Sequence, residues 1–276
     1  MIDILLSTYN GEEYLASQLD SILNQAYAEI RVIARDDGSN DRTVEILRDY
    51  AKRDERVAVF DDNRGNLGAF SSFMAIAEIS DSPYFLFADQ DDVWGRDKIS
   101  RLLVQMTKIE IEMGPDIPIV VFSDLSITDR NLHVVASSLW HYQQFDPNIS
   151  RNWRSLLAQN VVLGCAMMGN ASALKAGLPY MLPDMPHDHW IAVNAAKCGR
   201  IDFIREATIL YRQHGANYSG ANRFRLGYAL SRLPNFFNTI KTYHRAAKVF
   251  GEVTTIGLVM RKFLLNIRRF NRHEEF

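Results

Sequence analysis

From residue 2 to residue 124 the chain alternates five short apolar runs with four stretches whose apolar residues recur at helical spacing. The runs cover 2–6, 30–34, 57–60, 84–88 and 117–122. Between them, Tyr14, Leu15, Gln18, Leu19, Ile22 and Leu23 mark one helix, Val44, Ile46, Leu47 and Tyr50 a second, and residues 67–79 and 99–113 the other two. This rhythm predicts a mainly parallel sheet covered by helices, an α/β architecture. Ligands in such sheets bind beyond the carboxyl ends of the strands. Three polar clusters fall there: Ser7-Thr8-Tyr9-Asn10, Asp36-Asp37-Gly38-Ser39 and Asp89-Gln90-Asp91-Asp92. They are expected to converge on one crevice.

The third cluster carries the sharpest chemistry. Residues i and i+2 of an extended segment point the same way, so Asp89 and Asp91 offer two oxygen ligands at the rim of a sheet. Such a pair suits Mg2+ or Mn2+, whose shell a substrate's phosphates complete. Short acidic clusters are also common on solvated loops, so the rest of the chain has to decide. It contains no GxGxxG or GxxxxGK[ST] loop, which argues against a dinucleotide dehydrogenase or a P-loop phosphotransferase.

With 276 residues, 47% hydrophobic, the chain can bury the core of one large domain or of a domain with an appendage. The net charge of -2 hides an uneven distribution: from Arg223 onward eleven basic residues face three acidic ones, leaving that tail at +8 and the remainder at -10. The only cysteines, Cys165 and Cys198, lack CxxC spacing, which argues against zinc or a disulfide framework and for a reducing compartment. The first residues show no basic leader before an apolar segment, and no run of eighteen apolar residues occurs, so a cytoplasmic chain without a spanning helix is expected.

Five ordered motifs carry a resemblance over residues 1–220: Ser7-Thr8-Tyr9-Asn10-Gly11-Glu12, Asp36-Asp37-Gly38-Ser39, Asn66-Leu67-Gly68, Asp89-Gln90-Asp91-Asp92 and Tyr211-Arg212-Gln213-His214-Gly215. Together they resemble the family-two inverting glycosyltransferases of the A-type fold, in particular the bacterial rhamnosyltransferase-like enzymes of surface polysaccharide synthesis. The resemblance implies a Rossmann-like nucleotide-sugar fold with a nucleotide half at 1–124, an acceptor half at 125–220 and a basic amphipathic helical extension at 221–276. It implies that Thr8, Tyr9 and Glu12 line the nucleotide loop and that Asp36 accepts the ring N–H of uracil or thymine. Asn66, Gly68 and Gln90 complete the donor site; Asp89 approaches ribose or metal, and Asp91 holds the metal. The bare residues of Asp36–Ser39 equally describe a turn with a helix cap. One departure stands out: Gly95-Arg96-Asp97-Lys98 follows Val93-Trp94 where related sequences continue with an apolar residue and proline.

In the second half, residues 161–170 read as a core strand, which the resemblance places beneath the acceptor pocket. By the same resemblance Asp188, in His187-Asp188-His189-Trp190, is the catalytic base, although its place before a helical pattern also describes a first-turn carboxylate. His214 resembles a histidine that closes over the diphosphate and completes the metal shell, and Arg212 is positioned to pair with phosphate. Residues 215–220 form a segment suited to closure over the donor.

The implied reaction moves a sugar, with rhamnose preferred, from a dTDP- or UDP-sugar to a glycan or polyprenyl-linked acceptor. A nucleotidyltransferase and a non-catalytic nucleotide-sugar binder remain alternatives. The extension, with apolar residues threaded through its basic ones, is either a helical subdomain packed on the core or an interfacial helix over residues 223–276 at the inner membrane face. No nucleic-acid reading motif accompanies its charge.

Overall fold

A computed structural model describes residues 1–215 and 236–271. The expected closing segment beyond Gly215, and Arg223, Arg225, Arg232 and Arg272 of the basic tail, lie outside the described residues.

Among the described residues nine strands form one sheet: β1 (Ile2–Thr8), β2 (Ile30–Asp36), β3 (Val57–Val59), β4 (Tyr84–Ala88), β5 (Val93–Trp94), β6 (Ile119–Thr128), β7 (Val134–Ala136), β8 (Met167–Asn170) and β9 (Arg200–Arg212). Their order is β3-β2-β1-β4-β8-β6-β9-β5, with β7 added to β6. The half from β3 to β4 is parallel throughout, as the strand–helix rhythm requires. Beyond it the sheet is mixed: β8 runs antiparallel to both β4 and β6, and β5 is antiparallel to β9. Asn170 anchors the reversal, its Oδ1 accepting from Ile119 N at 3.0 Å and from Ala173 N at 2.9 Å.

Apolar side chains alternate between the two faces of the strands. Leu5, Ile33, Phe85, Phe87 and Val120 enter one core cluster, while Ile4, Leu6, Val32, Leu86 and Val121 enter the other. Burial of both faces explains why these strands read as continuous apolar runs. Helices α1 (Leu15–Leu23), α2 (Thr43–Arg53) and α4 (Lys98–Met113) supply the second cluster, to which Leu15, Leu47, Leu102 and Met106 contribute. The first is built by α3 (Ala69–Ala77), the short α5 (Leu139–Gln143), α6 (Trp153–Ala158) and α7 (Ala171–Ala176), and by α8 (His187–Cys198), α9 (Phe236–Phe250) and α10 (Thr255–Asn271).

Residues 161–170 differ from the strand expected there. Only Met167–Asn170 joins the sheet as a strand; Gly164–Ala166 is a 3-10 turn, where Asn160 Oδ1 accepts from Val162 N and Gly164 N is drawn to Asp188. The described part of the extension packs on the main fold. Tyr243, Ala246, Phe250, Leu258 and Leu265 join the first core cluster, and Tyr243 Oη donates to Ala158 O at 2.6 Å. Among the described residues no helix is long and apolar enough to cross a membrane.

Candidate active site

The three polar clusters meet at the carboxyl ends of β1, β2 and β4. Register pairs Thr8 with Asp36 and Leu6 with Ala88, which places the turns after all three strands side by side. Tyr9 N donates to Gln90 Oε1 at 2.8 Å, and Gln90 Nε2 returns a bond to Tyr9 O at 2.9 Å. Gly11 permits this closeness, since a Cβ there would lie 2.3 Å from Gln90 Oε1. Glu12 binds the neighbouring turn, accepting from Arg42 N at 2.9 Å. Asp36 is heavily engaged: its carboxylate accepts from Thr8 Oγ1, Gly38 N, Ser39 N and Ser39 Oγ at 2.6–3.1 Å. A carboxylate offers about four acceptor positions, so in this arrangement Asp36 shapes the turn, and a base N–H would have to displace one of those donors.

Asp37, next to Asp36 in the same turn, clips a third loop to the crevice. It accepts from Leu67 N at 2.7 Å, from Gly68 N at 2.9 Å and from the buried Arg35 guanidinium at 2.6 Å. Asn66 Nδ2 donates to Asp37 O at 2.7 Å. Asn66 and Gly68 thus stand beside the Asp36 turn.

The acidic motif is tied to the end of β9. His214 Nε2 lies 2.8 Å from Asp91 Oδ2, bringing together the two side chains expected to share a metal. Arg212, expected to pair with phosphate, bonds the backbone of the acidic motif. It is 5% exposed, donates through Nε to Asp91 O at 2.8 Å and through Nη1 to Arg130 O at 2.7 Å, and sits 4.6 Å from the Tyr14 ring centre. A planar guanidinium used this way braces the motif against β9. Asp92 is fully buried and accepts from Arg212 N at 3.2 Å, while its Oδ2 has no hydrogen-bond partner.

Lys98, set in the Gly95–Lys98 stretch that departs from related sequences, is fully buried. Its Nζ donates to Cys165 O and lies 3.2 Å from the Trp94 ring centre. Burial pushes its pKa down, opposed by the fields of Asp92 and Asp89. Burial, reinforced by Asp91 and Asp188, pushes Asp89 up, and Asp92 rises well above the carboxylate range for the same first reason. Ligand atoms of Asp89, Asp92 and Cys165 all lie within 4.8 Å of one another. Carboxylate oxygens of Asp89 and Asp91 and the His214 imidazole are donor types that Mg2+ or Mn2+ accepts, although only Asp91 and His214 touch here, and Asp89 is gathered instead with Asp92 and Cys165. The Cys165 thiol is too soft for either ion, and the buried Asp92 carboxyl favours its neutral form.

Asp188 approaches from α8. It is the second residue of the helix and 9% exposed, and Oδ2 accepts from Gly164 N at 2.8 Å while Oδ1 accepts from His189 N at 2.5 Å. An N-cap side chain instead bonds the amide two or three residues ahead, so Asp188 does not cap α8 in that way. Burial pushes its pKa up to about 6 against these backbone donors. Its charge also raises Asp89, which places the two carboxylates in one electrostatic neighbourhood. His187 beside it is buried, stacked at 4.2 Å on Phe73, with both ring nitrogens lacking a hydrogen-bond partner; burial lowers it to about 3 and keeps it neutral.

These loops, strand ends and carboxylates can be set beside known proteins. Residues 3–113 match the family model described as Glycosyl transferase family 2. Over its first 113 residues the chain is similar to that family. An uncharacterised glycosyltransferase of Nostoc sp. is 27% identical over 225 residues, covering 78% of this chain and 66% of that protein. The chain therefore spans slightly under two thirds of that relative. The crystal structure of S. aureus TarS 1–349 in complex with UDP-GlcNAc superposes with a TM-score of 0.65 at 15% identity, covering 100% of this chain and 73% of that one. A mannosyltransferase from Pyrobaculum calidifontis in complex with GDP-Man and Mn2+ gives 0.61 at 15% identity, covering 95% and 69%. The fold is that of the A-type glycosyltransferases.

Proposed function

We propose that the protein is a metal-dependent inverting glycosyltransferase that takes a sugar from a dTDP- or UDP-sugar and delivers it to a glycan or polyprenyl-linked acceptor in bacterial surface polysaccharide synthesis. The observation that carries this reading is the junction at Gly164 and Cys165: one residue binds the base candidate Asp188, and the next stands against Asp89 and Asp92 of the acidic motif. The family 2 match and the UDP-GlcNAc held by the structural relative TarS support the donor class. Rhamnose rests on the motif resemblance alone.

In this reading the acceptor hydroxyl attacks the anomeric carbon from the face opposite the nucleoside diphosphate, and Asp188 takes the hydroxyl proton. The raised pKa leaves Asp188 largely ionised at neutral pH and makes it a stronger base than an exposed aspartate. Asp91, with Asp89 and His214, would hold Mg2+ or Mn2+, which neutralises charge on the departing diphosphate. Tyr9, Gln90 and Thr8 fix the donor loop, and Glu12, Asn66 and Gly68 keep the flanking turns in register. Arg212 maintains the Asp91 turn from behind. Reaction on the cytoplasmic side, with peripheral contact at the inner membrane face through the C-terminal extension, belongs to the same proposal.

Purified protein incubated with a panel of nucleotide sugars and Mn2+ tests it. One donor is expected to raise the thermal unfolding temperature and to release nucleoside diphosphate when an acceptor is supplied. Release of pyrophosphate would identify a nucleotidyltransferase, and binding without turnover a non-catalytic binder.

A further inference from the structure

The last described helix, α10, has two apolar faces. One packs inward: Leu258, Leu265 and Arg269, at i, i+7 and i+11, are each less than 10% exposed. On the opposite side Ile256, Met260, Phe263 and Ile267 recur at i, i+4, i+7 and i+11, with Leu264 beside them, and are 40–77% exposed. At 1.5 Å per residue this stripe runs for about 16 Å along the helix. A helix that is buried on one side is expected to turn polar residues to solvent on the other, and this one does not.

The charge around the stripe has one sign. Residues 236–271 contain Lys241, Lys248, Arg261, Lys262 and Arg268, besides Arg245, which is paired with Asp184, and the inward-facing Arg269, against the single acidic Glu252, which is itself paired with Arg154 and Lys197. Arg261 and Arg268 sit on one flank of the stripe, where with Met260, Leu264 and Ser155 they line a recess of about 220 Å³. We propose that this outer face of α10 docks on an anionic lipid bilayer, with Ile256, Met260, Phe263, Leu264 and Ile267 entering the headgroup boundary and the flanking cations meeting lipid phosphates.

The charge favours a lipid surface over a second copy of the chain. Two copies facing each other through this stripe would bring two basic rims together with no acid among residues 236–271 to offset them beyond the paired Glu252. The inference deepens the peripheral contact proposed above and rests on that reading for its purpose. Leu265 and Arg269 of the same helix face the core instead, and Arg269 donates to Gln143 O. The surface is coupled to the acceptor side of the site. Arg261 on α10 donates to Ser155 Oγ on α6 at 3.0 Å, and Leu156 O on α6 meets His189 Nε2, next to Asp188, at 2.7 Å.

The test uses the full chain and co-sedimentation with phosphatidylcholine vesicles, with and without phosphatidylglycerol, at low and high salt. Binding is expected to the anionic vesicles, weakened by salt, and lowered about tenfold by Phe263→Glu with Ile267→Glu, both exposed positions. The unfolding temperature and the turnover of a soluble acceptor are expected to stay unchanged in that variant. No binding at low salt, binding that the variant leaves intact, or a dimer in light scattering that the variant splits into monomers would each overturn the assignment. Vesicle binding without any nucleotide-sugar turnover would keep the surface and remove the transferase reading.

Discussion

The Gly164 amide donates to Asp188 Oδ2 at 2.8 Å, so a 3-10 turn in the middle of the chain fixes the carboxylate of a distant helix. A side chain at residue 164 would press on what that bond positions: a Cβ there would lie 2.9 Å from His187 Nε2 and 3.3 Å from Asp188 Cβ. Gly164→Ala is therefore expected to displace Asp188 by a few tenths of an ångström. Turnover should fall by about 10–100-fold with a smaller loss of donor affinity, because residue 164 faces His187 and Asp188 while only its neighbour Cys165 stands against Asp89 and Asp92. Steady-state kinetics beside donor titration measures the split; equal loss of both would mean that the turn supports the whole crevice.

For Asp188 the consequence is a pH dependence in two observables. As general base it must be ionised, so turnover is expected to decline below about pH 6, and Asp188→Asn to cost about 10²–10⁴-fold with donor binding intact. Stability moves the other way. The folded value lies above the ordinary 3.8, so the stability linked to the protonated carboxyl is fully present below 3.8 and is lost as pH rises through about 6. The asparagine variant escapes that loss, on the order of 2–3 kcal/mol. Its unfolding temperature should gain on the parent's above pH 6 and not at pH 4. A variant that instead loses stability against the parent as pH rises through the carboxylate range would make Asp188 a helix-dipole residue.

The convergence of Thr8, Asp36 and Gln90 was legible because parallel strands carry their carboxyl ends to one edge, and register then joins turns that are 28 or more residues apart. Asp188 was visible only by resemblance, since its position on α8 is equally that of a first-turn carboxylate. Lys98, Gly164 and Asp37 escaped because they act through main-chain partners far along the chain, such as Cys165 O and Leu67 N, and main-chain contacts leave no residue pattern. The antiparallel return of β8 escaped for a related reason. A four-residue strand has too few positions to show a period, and Gly164–Ala166 reads as its continuation until Asp188 bends it. Arg212 was legible as a charge but not as a brace, because the direction of a long side chain is set by what surrounds it.

Arg212→Lys separates bracing from phosphate binding. Lysine cannot donate to Asp91 O and Arg130 O together from one planar group, nor stack on Tyr14 as a guanidinium does. Losing such buried bonds is expected to cost about 1–3 kcal/mol of stability, read by urea unfolding. Donor affinity should weaken only through the slackened Asp91 turn. Unchanged stability with a large loss of donor affinity would instead return Arg212 to the phosphates.

Asp91 and His214 make the sharpest test of the metal assignment, because in this arrangement they bond each other at 2.8 Å. Were the pair only structural, Asp91→Asn would keep a hydrogen-bond acceptor for His214 and change little. As cation ligands the two lose different things. Asp91→Asn removes an anionic oxygen and is expected to abolish most metal-dependent donor binding, and Asp89→Asn to weaken it as well. His214→Ala should leave a weaker site that more Mn2+ can fill, since water can replace one imidazole. Calorimetric titration of nucleoside diphosphate at rising Mn2+ distinguishes these cases: His214→Ala recovers affinity, whereas Asp91→Asn does not. Full activity of both aspartate variants in the presence of chelator would show that no cation is held here.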